Sequence, residues 1–314
     1  MTLMTINSTI SRAAMMLLMV LTMTVQTAWA QSTFSGGDGS QGNPYKIAST
    51  ADLDQLAIDV YSGTTYEDTY FELTADIAYD PNALTTDNNH DGIIDGNFMP
   101  IGFGGMSFSG KFYGNGHTIS NIVVTGDYNV GGRGLFGKTE GATLDGITVS
   151  GIVYGKADYV GGLVGTAVGT TITNCHVNCT VSSTKKYTGG LAGSISEGTT
   201  IDGCSAEGTV TSTSSNTGGL VGHCGEGTCT IRNSTTDVDV TGNDVTGGFL
   251  GYVNVGNLTI SDCRADCFLG RCLRRASQSQ WTRHQLLLRH HLDRTVGPGH
   301  RRYRLRQLRW HHAP

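Results

Sequence analysis

The 314-residue chain has only 5 Pro, 15% charged residues and 8% aromatics. It lacks an HExxH zinc motif, a CxxC pair and a Gly-rich phosphate loop, and its Ser, His and Asp residues form no triad pattern. Those absences remove the metalloprotease, zinc-finger and P-loop classes that such motifs define. No apolar run beyond Val25 is long enough to cross a bilayer, so the mature chain is expected to have no transmembrane segment. What remains is a body rich in Thr, Ser, Asn and Val, with 45 Gly, about twice the ordinary glycine share. β-Branched residues suit strands, and Gly or Asn suit corners. The composition therefore predicts many short strands and tight turns.

The glycines are periodic. Gly161-Gly162-Leu163-Val164-Gly165 recurs as Gly189-Gly190-Leu191-Ala192-Gly193, Gly218-Gly219-Leu220-Val221-Gly222 and Gly247-Gly248-Phe249-Leu250-Gly251, after a partial copy at Gly134-Leu135-Phe136-Gly137. From Gly134 through Gly162, Gly190, Gly219 and Gly248 the steps are 28, 28, 29 and 29 residues. A fixed period of this size is the mark of stacked repeats.

Laying the repeats over one another gives columns. Leu144, Ile172, Ile201, Ile231 and Ile260 share one, and two residues on stand Gly146, Asn174, Gly203, Asn233 and Asp262. Gly, Asn and Asp tolerate a left-handed backbone, so the second column is a corner. Beyond it Val149, Val177, Ala206, Thr236 and Ala265 align, as do Val153, Val181, Val210 and Val240, alternating with polar residues at the period of a half-buried strand. The pattern predicts an all-β fold, a parallel and right-handed β-helix solenoid whose rungs close on an apolar interior.

Before the repeats, Ser49 followed by apolar residues at 53, 56, 57 and 60 predicts a short capped helix, and Tyr70–Ile77 alternates like a strand. Together they read as a helix-and-strand cap over residues 31–98, with repeats over 99–267. Residues 1–30 read as a Sec-type signal peptide. Arg12 precedes an apolar run, and Ala28-Trp29-Ala30 offers cleavage after Ala30. Secretion or display at the cell surface is the expected location.

The opening segment Phe108-Ser109-Gly110-Lys111-Phe112-Tyr113-Gly114-Asn115-Gly116-His117-Thr118-Ile119, followed by the Gly-Gly-Leu-Val-Gly units, resembles bacterial surface proteins carrying the GLUG motif. The resemblance covers about residues 35–267. It implies a parallel β-helix associated with adhesins and with non-catalytic repeat regions of secreted immunoglobulin-cleaving peptidases.

The period fails after Cys267. Residues 268–314 carry 11 Arg against one acid, Asp293; their net +10 leaves −15 for the rest of a chain of net −5. A nucleic-acid arm is one reading of such a tail, but the genetic code favours a frameshift product. One base on, most Arg codons become Gly, Ala, Val or Asp codons, and Leu273-Arg274-Arg275-Ala276 can become Ser-Gly-Gly-Leu, with the repeat Gly at 275. On this reading the tail is disordered, nucleic acid is not a partner, and the stack ends open at the rung of Ile260.

Four features carry candidate chemistry. Asp87, Asn89, Asp91 and Asp95 occupy positions 1, 3, 5 and 9 of a calcium-type loop with Gly92 at position 6, though Phe98 replaces the bidentate Glu; calcium is the one cofactor this suggests, against a solvated Asx-rich turn. Glu207, Asp237 and Asp266 follow Asn178 in an outward column, with Asp239 two residues along. They read as a solvated acidic face, with cation binding or two-carboxylate glycan cleavage as alternatives. Cys175, Cys204 and Cys263 share one inward column, and Cys179 and Cys267 another, so they read as small apolar ladder residues. Cys224 and Cys229 flank a four-residue loop and are the disulfide candidates, with zinc held by Cys224 and His223 the weaker alternative.

Three functions follow. The leading one is an exported, non-enzymatic β-helix for surface adhesion or presentation, with a host or surface glycan or protein as ligand. The second is a carbohydrate-active lyase or hydrolase using the acidic face. The third is a non-catalytic repeat segment of a larger secreted peptidase.

Overall fold

Glycine decides where one turn of the chain can touch the next. A Cβ built on Gly190 would lie 2.3 Å from the carbonyl oxygen of Gly219, and one on Gly219 would lie 2.0 Å from that of Gly248. No side chain fits such a gap, so the double-glycine motif is the place where successive rungs meet backbone to backbone. The computed structural model describes residues 34–88, 94, 96–125, 131–254, 257–268, 291–292 and 300–309, with side chains up to residue 265. The predicted signal peptide lies outside these.

The fold is a parallel β-solenoid of about seven turns with rungs of about 29 residues and one helix near the N-terminus. The rung of Gly162 shows the plan. A two-residue strand, Val160–Gly161, leads to Val164–Val168, then Thr171–Thr173, a corner at Asn174, and the long strand His176–Ser183. Each strand pairs in parallel with its counterparts one rung either side: Ile172 with Leu144 and Ile201, Val177 with Val149 and Ala206. The predicted columns are therefore real registers. The corner residues Gly146, Asn174, Gly203, Asn233 and Asp262 all adopt φ between 51° and 65°. Those positive angles explain why only Gly, Asn and Asp occupy that column.

Stacking then fills the interior. Leu163, Leu191 and Leu220 are fully buried in line, with Phe249 above them, beside Ile172, Ile201 and Ile231. Each such side chain contributes roughly 1.5–3 kcal/mol, but only when the adjoining rung covers it. The stack is also tied at its corners. The Asp145 carboxylate accepts from the Thr173 hydroxyl at 2.5 Å and the Asn174 amide at 3.0 Å, and one rung pair later Asp202 accepts from Arg232 and Asn233 at 2.8 and 2.7 Å.

Helix α1, Thr50–Tyr61, buries Leu53, Leu56, Ala57 and Val60, the four positions its periodicity predicts. Its first turn is closed by Ser49, whose hydroxyl accepts the Asp52 N–H at 3.2 Å. Below it Phe71, Phe108, Phe112 and Phe136 form a contiguous ring cluster, with centroids 5.4–6.4 Å apart. The cap is not a separate layer. Tyr45–Ile47, Tyr70–Leu73 and Lys111–Tyr113 pair in parallel in turn and pass directly into the Thr143–Asp145 strand of the repeats.

At the other end Asn257–Phe268 is the last strand of the stack, and the backbone of His300–Arg309 runs antiparallel beside it, Thr259 opposite Arg309 and Phe268 opposite His300. The sequence reading leaves this edge open. An open edge carries a row of unpaired N–H and C=O groups, and any extended segment can pair with it whatever its side chains.

Candidate functional site

The long strands His176–Ser183, Ser205–Ser212 and Thr235–Thr241 lie side by side and present one flat outward face. Register sets Asn178 beside Glu207, Glu207 beside Asp237 and Asp237 beside Asp266, as the acidic column requires, with Asp239 beside Thr209. Asn178, Glu207, Asp237 and Asp239 are exposed; the side chain of Asp266 lies outside the described residues. Neighbouring strands are about 4.8 Å apart and like-facing residues about 6.8 Å apart along each strand, so the face is a regular grid. Beyond the acidic column the face carries hydroxyls at Thr180, Ser182, Thr209, Thr211 and Thr241. Two residues from the acids, the column His176, Ser205, Thr235 ends at Arg264. That basic residue on the acidic face was missed from sequence, because Arg264 sits next to the aberrant tail and had no counterpart in the earlier rungs.

Among the described residues no three His, Cys, Asp or Glu side chains converge as metal ligands. Of the calcium-type loop, Asp87 follows the 3-10 turn Pro81–Thr85, while Asn89, Asp91 and Asp95 lie outside the described residues.

A second row runs up an adjacent side. The Tyr159 and Tyr187 rings stack at 5.0 Å, Tyr187 meets His223 at 4.4 Å, and His223 stacks on Tyr252 at 5.8 Å. The His223 Nδ1 lies 2.9 Å from the Ser194 hydroxyl in the rung below. The pair has nucleophile–base spacing, but burial pushes the imidazole down to about 4. A base that weak removes a serine proton poorly at neutral pH, so the ring serves as a neutral aromatic in the stack. His223 and Cys224 are consecutive in the strand Val221–Cys224 and face opposite ways, the ring toward the tyrosines and the thiol inward. The structure does not bring them together as zinc ligands.

All six described cysteines are buried free thiols. The inward placement read from parity holds, but the corner column is not merely apolar. The Cys175 N–H donates to the Cys204 sulfur at 3.4 Å, the Cys204 N–H donates to the Ser234 hydroxyl at 3.2 Å, and each of these side chains donates to the carbonyl two residues before it. Burial pushes the Cys179 thiol up to about 12 and Cys263 to about 11, so both stay protonated. Cys224 and Cys229 act on each other electrostatically: the neighbouring thiol and burial raise Cys224, while Cys224 holds Cys229 down against the opposing effect of burial.

These rungs have relatives. The profile of the GLUG motif matches residues 157–183 and 186–211, the rungs of Gly162 and Gly190. The chain is a GLUG-repeat β-helix. This GLUG-repeat chain also superposes on a crystal structure from Bacteroides ovatus described provisionally as an immunoglobulin A1 protease. The TM-score is 0.52 at 22% identity, covering 74% of this chain and 77% of that one. At that identity the likeness is one of fold. No curated protein matches the chain.

Proposed function

We propose that this GLUG-repeat β-helix is an exported, non-enzymatic scaffold that binds a polar extended ligand, a surface glycan or protein strand, on the grid of its long strands. The observation that carries the reading is the face itself: acids, amide and hydroxyls at fixed spacing on three paired strands held by a buried core. A rigid lattice of donors and acceptors recognises a repeating polar ligand without ordering loops first, so little entropy is lost on binding. The row of Tyr159, Tyr187, His223 and Tyr252 adds rings of the kind enriched at binding surfaces.

A glycan and peptide binding screen tests this, with Glu207→Ala/Asp237→Ala as the control. Binding that falls at least tenfold in the double variant, with no product released from acidic glycans, supports a scaffold. Turnover of such a glycan that vanishes in the same variant sinks that reading and favours the lyase or hydrolase.

The likeness to a structure described as an immunoglobulin protease favours a second reading, a repeat segment of a secreted peptidase. Incubation with immunoglobulin A1 distinguishes it. A repeat segment binds the antibody without cleaving it.

A further inference from the structure

We infer that Cys224 and Cys229 form a disulfide that clasps the corner of the rung beginning at Gly219. Two columns meet at this corner. Thr139, Ala167, Ile195, Cys224 and Val253 stack as one, by register. The other holds Ala142, Thr170, Thr199, Cys229 and Leu258, set by the paired residues that follow or include them. Up the stack the connection between the columns lengthens from two intervening residues to four, and of these five rungs the Gly219 rung alone places Cys in both. Both side chains point inward and are buried, one at each end of the same corner. A longer corner loses more chain entropy on closing, and a covalent link across it offsets that loss.

The two sulfurs are not equivalent. The Thr170 N–H donates to the Thr199 hydroxyl at 3.3 Å, one rung up. Cys229 occupies the next slot of that hydroxyl column, one rung above Thr199, and its thiol is held below the usual cysteine range beside Cys224. Cys224 stands in a column with Ala167, Ile195 and Val253, and its thiol is raised by its neighbour Cys229 and by burial. Cys229 is therefore the attacking thiolate and Cys224 the resolving thiol.

With a low-molecular-weight disulfide as oxidant, the Cys229 thiolate attacks one sulfur, the oxidant's S–S bond breaks, and its other sulfur leaves as a thiolate. Cys224 then gives its proton to solvent and displaces the remaining oxidant half as a second thiolate. Two electrons pass to the oxidant, which is reduced to two thiols. The bond forms while the rung is closing and is covered once the rung of Gly248 docks. The exported location bears only on where the chain meets an oxidant, and refolding in a glutathione buffer tests the bond without it.

The chain is refolded with reduced and oxidised glutathione, denatured, alkylated without reductant and mapped by mass spectrometry. The expected result is that Cys224 and Cys229 resist alkylation until reduced and appear as one linked pair, while Cys175, Cys179, Cys204 and Cys263 are alkylated at once. Full alkylation of Cys224 and Cys229, or their linkage to other cysteines, overturns the inference. Cys229→Thr, which restores the residue of the preceding rung, keeps the test independent of misfolding. It is expected to leave Cys224 alkylatable and to unfold at the same denaturant concentration as the reduced wild type, below the oxidised wild type. Identical midpoints for oxidised and reduced wild type overturn the clasp.

Discussion

The backbone N–H of Cys175 donates to the Cys204 sulfur 3.4 Å away in the next rung, and Cys204 repeats the arrangement with the Ser234 hydroxyl at 3.2 Å. A corner N–H turned into the core would otherwise have no acceptor, and leaving such a donor unmet costs about 1–3 kcal/mol. Ser234 shows that oxygen does the same work as sulfur. Cys204→Ser is therefore expected to keep the rung within about 1 kcal/mol of wild type, whereas Cys204→Val, though apolar and buried, loses about 1–3 kcal/mol. Denaturant unfolding of the two variants checks this. Equal midpoints would mean the column is apolar filler.

The double glycines give a second contrast. At Gly190 a methyl would sit 2.3 Å from the Gly219 carbonyl oxygen and 2.9 Å from the Ala206 Cβ, while at Gly42 nothing lies within 4 Å and φ is not positive. Gly190→Ala must push two rungs apart, and loss of more than about 3 kcal/mol, or failure to fold, is expected. Gly42→Ala should change the unfolding midpoint by less than about 0.5 kcal/mol equivalent. A folded, wild-type-like Gly190→Ala protein would contradict backbone contact as the reason for the motif.

Why the core was legible and parts of the site were not follows from these residues. In a solenoid a residue's neighbours are its equivalents one period away, so Leu144, Ile172 and Ile201 declare their contact in the sequence itself. The Cys175 column gave its position in the same way but not its role, because an inward Cys beside Val looks like filler and its hydrogen bond depends on the corner dihedral. The Tyr159, Tyr187, His223, Tyr252 row was harder still. Tyr187 and His223 are 36 residues apart, a rung plus seven, since the rings come from two adjacent columns. Only folding across the Gly-Gly turn brings them face to face.

Acid should loosen the cap. Burial pushes the Asp52 carboxyl up, but the hydroxyls of Ser35 and Ser49 and the Ala48 N–H, at 2.7, 2.8 and 3.0 Å, outweigh it and hold the group below its usual range. The unfolded chain then binds the proton more tightly than the folded one. The stabilisation is present above the unfolded value of about 3.9 and is lost as pH falls through the lower folded value. Asp52→Ala should cost about 1–3 kcal/mol at pH 7 and flatten the stability profile below pH 4. An unchanged acid limb in the variant would remove Asp52 from that role.

His223 works in the opposite protonation sense and a different pH window. Its ring lies between Tyr187 and Tyr252 with Nδ1 against Ser194, and burial pushes it from 6.5 to about 4. The unfolded chain takes up a proton below about pH 6.5 while the folded ring does not. Stability contributed by the neutral ring is thus fully present above 6.5 and falls as pH drops toward 4, by up to about 1.4 kcal/mol per pH unit. His223→Phe keeps an aromatic in the row and removes the titration, so its stability should change less than wild type between pH 7 and pH 5, whatever other groups contribute to both. An NMR titration of the ring gives the direct measurement. A folded-state value near 6.5 would place His223 in water and break the link between the aromatic row and pH.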